Sequence, residues 1–281
     1  MKLASFQRSG RATYGAVLDG GRIVDLGARF ADRFPTLRDA LAGRALPEMQ
    51  RSLAGAPADA IETVNLLEPI PNARIICVGR NYRAHVAEGA GQIPAFPSVF
   101  IRLASSVVAH EQPMRLSPLS SDYDYEGELA LVIGAGGHHI ATDSALDHIA
   151  GYTCFNEACY RDFQFKHSLT VGKNFAASGA FGPWMTTADE IPDPRELDLS
   201  TRLNGVEVQH ASVSELIFDI PYLISYLSGV TPLLPGDVIV TGTPEGVGFA
   251  RKPPLWLKAG DVVEVEISKI GVLRNRVVLE E

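Results

Sequence analysis

A chain of 281 residues with 46% hydrophobic and 21% charged side chains has the composition of an ordinary folded protein, which excludes a disordered or low-complexity one. Its 25 basic and 33 acidic residues give a formal net charge of −8 and exclude the electrostatic footprint of a nucleic-acid binder, although a local cation can still draw an anion into one pocket. Three cysteines, Cys77, Cys154 and Cys159, without a C-x-x-C pair exclude a disulfide framework and a zinc ribbon; no run of about 18 apolar residues spans a bilayer. With no signal-like apolar stretch in residues 1–10, the chain is expected in the cytoplasm.

In chain order, residues 13–18 and 22–26 alternate like strands around Asp19-Gly20-Gly21, a hairpin signal. Two helical stretches follow at 37–41 and 48–53. A boundary at Glu68-Pro69-Ile70-Pro71 divides the chain into a small α/β unit, residues 1–70, and a larger one, residues 71–281. The larger unit starts with a strand at 74–78 that ends in Gly79-Arg80-Asn81-Tyr82 and leads into a helix holding His85 and Glu88. Residues 125–133 alternate, with Leu129, Leu131 and Ile133 on one face and Glu126, Glu128, Ala130 and Val132 on the other. Asn204-Gly205 between 199–203 and 206–210 predicts a second hairpin. An apolar stripe from Val213 to Leu227 predicts a helix, opened by Ser212 and Glu215 in capping-box spacing, kinked or split at Pro221 and closed by Gly229. Strands return at 238–240, 262–267 and 272–278. Strands dominate without regular alternation with helices, so the fold class is α+β and β-rich rather than a doubly wound sheet.

Glu126 and Glu128, two apart on a strand, project to one face with Cα atoms about 7 Å apart, close enough to share a hard cation. From that spacing alone a solvated strand face is the more ordinary reading. Ala130 and Val132 continue the face, however, and a cation would offset the cost of burying two carboxylates there. His85 and Glu88, three apart on a helix, either form a surface ion pair or orient an imidazole for proton transfer. Lys173, in a segment of little periodicity, reads by itself as a solvated loop residue. Residues 241–248, Thr-Gly-Thr-Pro-Glu-Gly-Val-Gly, follow a strand and offer backbone amides to a carboxylate, but the spacing fits neither the P-loop nor the dinucleotide fingerprint. No G-x-S-x-G elbow is present. Cys154 and Cys159 read as packing thiols, and the adjacent His138 and His139 are expected to point apart.

Several of these segments, in this order, resemble the fumarylacetoacetate hydrolase family, the group that includes 2-hydroxyhepta-2,4-diene-1,7-dioate isomerases and acylpyruvate hydrolases. The resemblance covers about residues 74–278. It rests on Val78-Gly79-Arg80-Asn81-Tyr82 with His85 and Glu88, on Asp124-Tyr125-Glu126-Gly127-Glu128-Leu129-Ala130, and on Gly151-Tyr152-Thr153 leading to Arg161-Asp162 and Gln164. It continues through Gly172-Lys173-Asn174-Phe175, Ile220-Pro221-Tyr222, residues 241–248 and Gly260-Asp261.

The resemblance implies a mixed β-sandwich roll behind a small N-terminal α/β domain. It implies Glu126, Glu128 and Glu157 as ligands of Mg²⁺ or Mn²⁺, with Ca²⁺ as a stand-in in crystals. At the third ligand the family usually carries aspartate, whereas this chain reads Asn156-Glu157, one methylene longer; that difference bears on coordination geometry and metal preference. Tyr160 is also larger than its usual counterpart. By the same resemblance His85 and Glu88 form a water-activating dyad on a lid segment, Lys173 steadies an enolate, and Arg161, Gln164 and Thr243 contact substrate. The implied activity is hydrolysis of a carbon–carbon bond in an acylpyruvate-type substrate, fumarylpyruvate-like, by a homodimer. Isomerisation, hydration or decarboxylation of a 2-oxo or 2-hydroxymuconate-type dioate in aromatic catabolism is the alternative. A non-catalytic small-acid binding protein is the alternative of another class.

Overall fold

The structure, a computed structural model, describes residues 1–280. The first hairpin forms as the turn chemistry requires. Arg11–Leu18 pairs with Arg22–Asp25, and Gly20 and Gly21 take φ of +74° and +68°, where a side chain would be strained. Lys2–Arg8 pairs with Arg11–Leu18 on one side. On the other it joins Gly179–Thr187, with Leu3 opposite Met185. The same sheet then runs through Ile149–Asn156, Gly127–Ile133, Val238–Val240 and Ile75–Gly79 to Ser98–Arg102, twelve strands in all. Its pairs along this path are antiparallel except that between Val238–Val240 and Ile75–Gly79.

A second, five-stranded sheet orders Val206–Ser212, Asp198–Leu203, Val262–Ile267, Gly271–Leu279 and Met114–Leu116. Its hairpin turns at Asn204 and Gly205, both at positive φ, as an Asn-Gly two-residue loop demands. Leu199, Val263, Val265, Leu273 and Val277 from this sheet share one core with Leu129, Leu131 and Ile133. The opposite face, through Ala130 and Val132, shares a second core with Leu3, Tyr14, Leu37, Leu41 and Met49 of the N-terminal unit. Gly127–Ile133 is therefore buried along its whole length, and its two faces divide as the alternation predicts. This is the β-rich α+β sandwich expected.

Two local expectations change. The Ser212–Glu215 capping box is present but caps only the short turn Val213–Glu215. The helix proper is Ile220–Val230, started by Asp219, whose side chain accepts from Tyr222 N at 2.9 Å. Pro221 sits in the first turn, where its missing N–H costs nothing, so it splits the stripe rather than kinking one helix. Gly229 lies inside that helix and does not close it. His138 and His139 stack with ring centroids 3.8 Å apart instead of diverging, because His139 adopts a φ of +56° that brings its ring back over its neighbour.

Candidate metal centre and active site

Glu126 and Glu128 flank Gly127, where a Cβ would lie 2.0 Å from Thr201 Oγ1; only glycine lets the strand approach the second sheet this closely. Glu157 follows the neighbouring strand Ile149–Asn156, and its N–H donates to Glu126 O at 2.8 Å, carrying the pairing one step past the strand. Adjacent chain ends thus bring three carboxylates together. Each offers an oxygen within 4.8 Å of the others, and all three side chains are buried.

They do not stand alone. Lys173 Nζ donates to Glu126 Oε2 at 2.5 Å and to Glu157 O at 3.0 Å, and it touches Glu157 Oε2. Lys173, which its own segment alone suggests as solvated and the resemblance places in the site, is buried, as the last residue of the helix Leu169–Lys173 that Ser168 caps. Arg161 pairs with Asp124 at 2.8 Å and with Glu126 Oε1 at 2.5 Å, donates to Gln164 Oε1 at 3.1 Å, and stacks on Phe249, 4.6 Å from the ring centroid. Arg102 donates to Glu157 Oε1 at 2.7 Å.

His85 Nδ1 meets Glu88 Oε1 at 2.8 Å, which fixes the imidazole and leaves Nε2 as the nitrogen open to a reactant. Asn81 holds the start of this segment: its amide donates to Phe218 O and Thr241 O, and its Oδ1 accepts from Phe218 N. The amides of residues 241–249 do reach carboxylates, and these are the protein's own. Gly242 N donates to Glu128 Oε2 at 2.6 Å, Gly246 N to Glu88 Oε2 at 2.9 Å, and Gly248 N and Phe249 N to Asp124 at 2.7 and 3.1 Å. One loop therefore ties the histidine's partner to the acidic cluster.

Thr243 Oγ1 donates to Gly127 O at 3.0 Å and accepts from Gln209 Nε2 at 2.9 Å, while Gln209 Oε1 accepts from Gly127 N at 2.9 Å. Both side chains are thus engaged with the backbone between the two glutamates. Arg102, Asp124, Gln209 and Asn81 are the residues that sequence reasoning gave no role. Asp124 and Asn81 lie inside segments already singled out; for Arg102 the signal was a cation in the apolar run Val99-Phe100-Ile101-Arg102-Leu103, at an inward position.

Electrostatics separates the three glutamates. Burial alone would raise the Glu126 carboxyl, but Arg161, Lys173 and His85 outweigh it and hold it at about 2. Burial raises Glu157 despite the opposing pull of Lys173 and Arg102. Glu128 is pushed well above the usual carboxylate range by burial and by the like charges of Glu157 and Glu126. Burial opposes the Lys173 charge, yet Cys159, Glu126 and Glu157 around it raise its ammonium above the ordinary lysine value.

The donor set fits a divalent cation on two counts. The buried carboxylates Asp124, Glu126, Glu128 and Glu157 outnumber the buried cations Arg102, Arg161 and Lys173 by one, so with all four ionised one negative charge is left over; burial and like charge favour a proton on Glu128 to cancel it, and a cation would serve in that proton's place. Glu157 Oε2 is also a buried oxygen that accepts no aligned hydrogen bond and has only the charge of the Lys173 ammonium against it. An all-oxygen set of this kind suits a hard ion.

Residues 74–278 match the model of the fumarylacetoacetate (FAA) hydrolase C-terminal family. The chain belongs to the fumarylacetoacetate hydrolase family. Among its relatives is a mitochondrial oxaloacetate tautomerase of Xenopus laevis, 38% identical over 294 residues that cover 99% of this chain and 90% of the relative. Among solved structures, maleylpyruvate hydrolase of Sphingobium sp. SYK-6, in complex with manganese(II) ion and pyruvate, is 28% identical over the full length of both chains, with a TM-score of 0.83. The 2-hydroxyhepta-2,4-diene-1,7-dioate isomerase of Mycobacterium marinum is 28% identical with a TM-score of 0.78, covering 100% of this chain and 99% of that one. The fumarylacetoacetate hydrolase family thus contains hydrolases, isomerases and tautomerases on one scaffold.

Proposed function

We propose that this chain is a divalent-metal-dependent enzyme that moves a proton at the carbon beside the 2-oxo group of a small dicarboxylic acid, interconverting keto and enol forms of an oxaloacetate-type substrate. The observation that carries the reading is one oriented base, His85 on Glu88 at 2.8 Å, close enough to lower the Glu126 carboxyl, in a site where Glu126 converges with Glu128 and Glu157. Glu126, Glu128 and Glu157 would hold Mg²⁺ or Mn²⁺, which when bound supplies Lewis-acid polarisation of the 2-oxo group.

In the keto-to-enol direction His85 Nε2 takes the proton from carbon and gives it up to the enolate oxygen, and in the reverse direction the enol oxygen loses its proton as carbon gains one from the imidazolium; Glu88 keeps the ring in the tautomer that can do so. Gly246 N fixes the other oxygen of Glu88, so the base does not swing with its partner. Lys173 and Arg161 keep Glu126 ionised and place positive charge where negative charge develops on the substrate. A relative 38% identical over nearly the whole chain carries the tautomerase name, and this supports placing proton transfer ahead of the hydrolysis that the sequence reading put first.

Hydrolysis of an acylpyruvate is the second reading. It is favoured by the maleylpyruvate hydrolase neighbour and by the same dyad, which is equally suited to taking a proton from water. The non-catalytic alternative loses its main support, because the longer Glu157 side chain still delivers its carboxylate to the cluster.

The test is a purified-protein assay with Mn²⁺ and after chelation, following enol-oxaloacetate decay and, separately, pyruvate release from acylpyruvates. Metal-dependent enol decay that His85→Ala abolishes supports tautomerisation. Pyruvate release faster than enol decay selects hydrolysis, and no turnover of either substrate sinks both.

A further inference from the structure

Glu157, which the resemblance sets where the family usually carries aspartate, has its side chain held by the buried cation Arg102. Arg102, buried at the end of Ser98–Arg102, has its guanidinium fully engaged. Nη1 donates to Glu157 Oε1 at 2.7 Å and to Ala158 O at 2.9 Å, Nη2 to Ser178 Oγ at 2.8 Å and Ser106 O at 3.3 Å, and Nε to Ser106 Oγ at 3.0 Å. The backbone is shaped to this group. A Cβ on Gly179 would lie 2.5 Å from Arg102 Nη2 and 2.8 Å from Asn156 O, so only glycine leaves room for the guanidinium beside the strand that leads to Glu157.

The consequence falls on the carboxylate. Oε1 is committed to a buried, charge-assisted bond, and breaking it would leave an uncompensated charge in the interior. Oε2, the oxygen with no aligned hydrogen bond, is the one on the side of Lys173 and Glu126. Glu128 is arranged alike: Gly242 N holds Oε2 at 2.6 Å. Carboxylates tethered by one oxygen present the other singly and do not chelate with both. Ca²⁺ takes six to eight oxygens and readily accepts two from one carboxylate, whereas Mg²⁺ keeps to six at shorter distance.

Resting on the metal-centre reading above, we propose that Arg102 is the residue that sets metal preference in this chain: by tethering Glu157 Oε1 it makes the longer glutamate a one-oxygen donor and disfavours Ca²⁺ relative to Mn²⁺ and Mg²⁺. Arg102 acts through Glu157, as a positioning residue.

The experiment is isothermal titration of chelator-stripped full-length protein with Mn²⁺, Mg²⁺ or Ca²⁺ alone, in wild type, Arg102→Lys and Ser178→Ala. The native chain is expected to bind Mn²⁺ more tightly than Ca²⁺. Arg102→Lys keeps the charge but loses the planar fork, and should narrow the Ca²⁺-to-Mn²⁺ Kd ratio by roughly tenfold. Ser178→Ala loosens the guanidinium without deleting it, should narrow the ratio by roughly threefold, and decides the matter alone if Arg102→Lys does not fold. Equal weakening toward all three ions, the mark of a merely structural role, overturns the proposal while leaving the metal centre standing. No Mn²⁺ binding by the wild-type chain overturns the metal centre itself.

Discussion

Glu128 is the carboxylate whose charge is least compensated. It accepts a hydrogen bond from the Gly242 amide, and burial together with Glu157 and Glu126 raises its proton affinity. A carboxyl raised on folding binds its proton more tightly in the native chain than in the unfolded one. The stability this gives is complete below the unfolded value of about 4.3 and drains away as pH rises through the folded value. Metal-free wild type should therefore lose melting temperature relative to Glu128→Gln as pH rises above the unfolded value, by roughly 2–4 °C for each kcal/mol of linkage. Saturating Mn²⁺ should reverse the order, since only the wild type has the charge the ion stabilises. Scanning calorimetry of both proteins with and without metal checks both signs. At His85 the expectation separates binding from chemistry: His85→Ala should lower turnover by roughly 10²–10⁴-fold while leaving Mn²⁺ affinity within a few-fold. A comparable loss of affinity in the titration would mean that the imidazole belongs to the ion rather than to the proton.

At the scale of one element, the segment 241–249 links the two halves of the site with four backbone N–H groups, reaching Glu128, Glu88 and Asp124. Gly246 is the position that makes this possible. Its φ is +97°, and a Cβ there would lie 2.1 Å from Val208 O. Gly246→Ala should destabilise the fold by about 1–3 kcal/mol. It should also lower kcat more than metal affinity, because the Glu88 tether is lost while the Gly242 bond to Glu128 remains. Denaturant unfolding alongside steady-state kinetics measures the two effects. An unchanged kcat would show that Gly246 serves the loop's shape alone. From sequence the glycines of this loop suggested amides near a carboxylate, but not which one, because the acceptors lie more than a hundred positions away along the chain.

For the molecule as a whole, the sheet is continuous from the N-terminal hairpin to the acidic cluster. Leu3 opposite Met185 carries the pairing across, and Tyr14, Leu37, Leu41 and Met49 cover the face behind Ala130 and Val132. A chain begun at residue 71 would bare both that apolar face and the Gly179–Thr187 edge. It is expected to be insoluble or to lose its cooperative melt, and a soluble, sharply melting truncation would show that the larger unit stands alone. What was legible in the sequence follows the same division by distance. Period-two alternation located Gly127–Ile133 and the faces of its side chains, and Asn204-Gly205 located a hairpin, because both signals are local. The convergence of Glu157 on Glu126 and Glu128 came from family resemblance, since it depends on two strands pairing. The engagement of Thr243 with Gln209, and of Arg102 with Glu157, left no such signal: each joins residues more than thirty positions apart and shows only when the sheets are packed.

The most direct measurement is a crystal structure of the Mn²⁺-soaked protein with anomalous scattering recorded near the manganese edge. One strong anomalous peak should lie within about 2.3 Å of one oxygen from each of Glu126, Glu128 and Glu157, on the side that His85 faces. A peak elsewhere, or these carboxylates still closed on Lys173, Arg161 and Arg102 with no ion between them, would contradict the account.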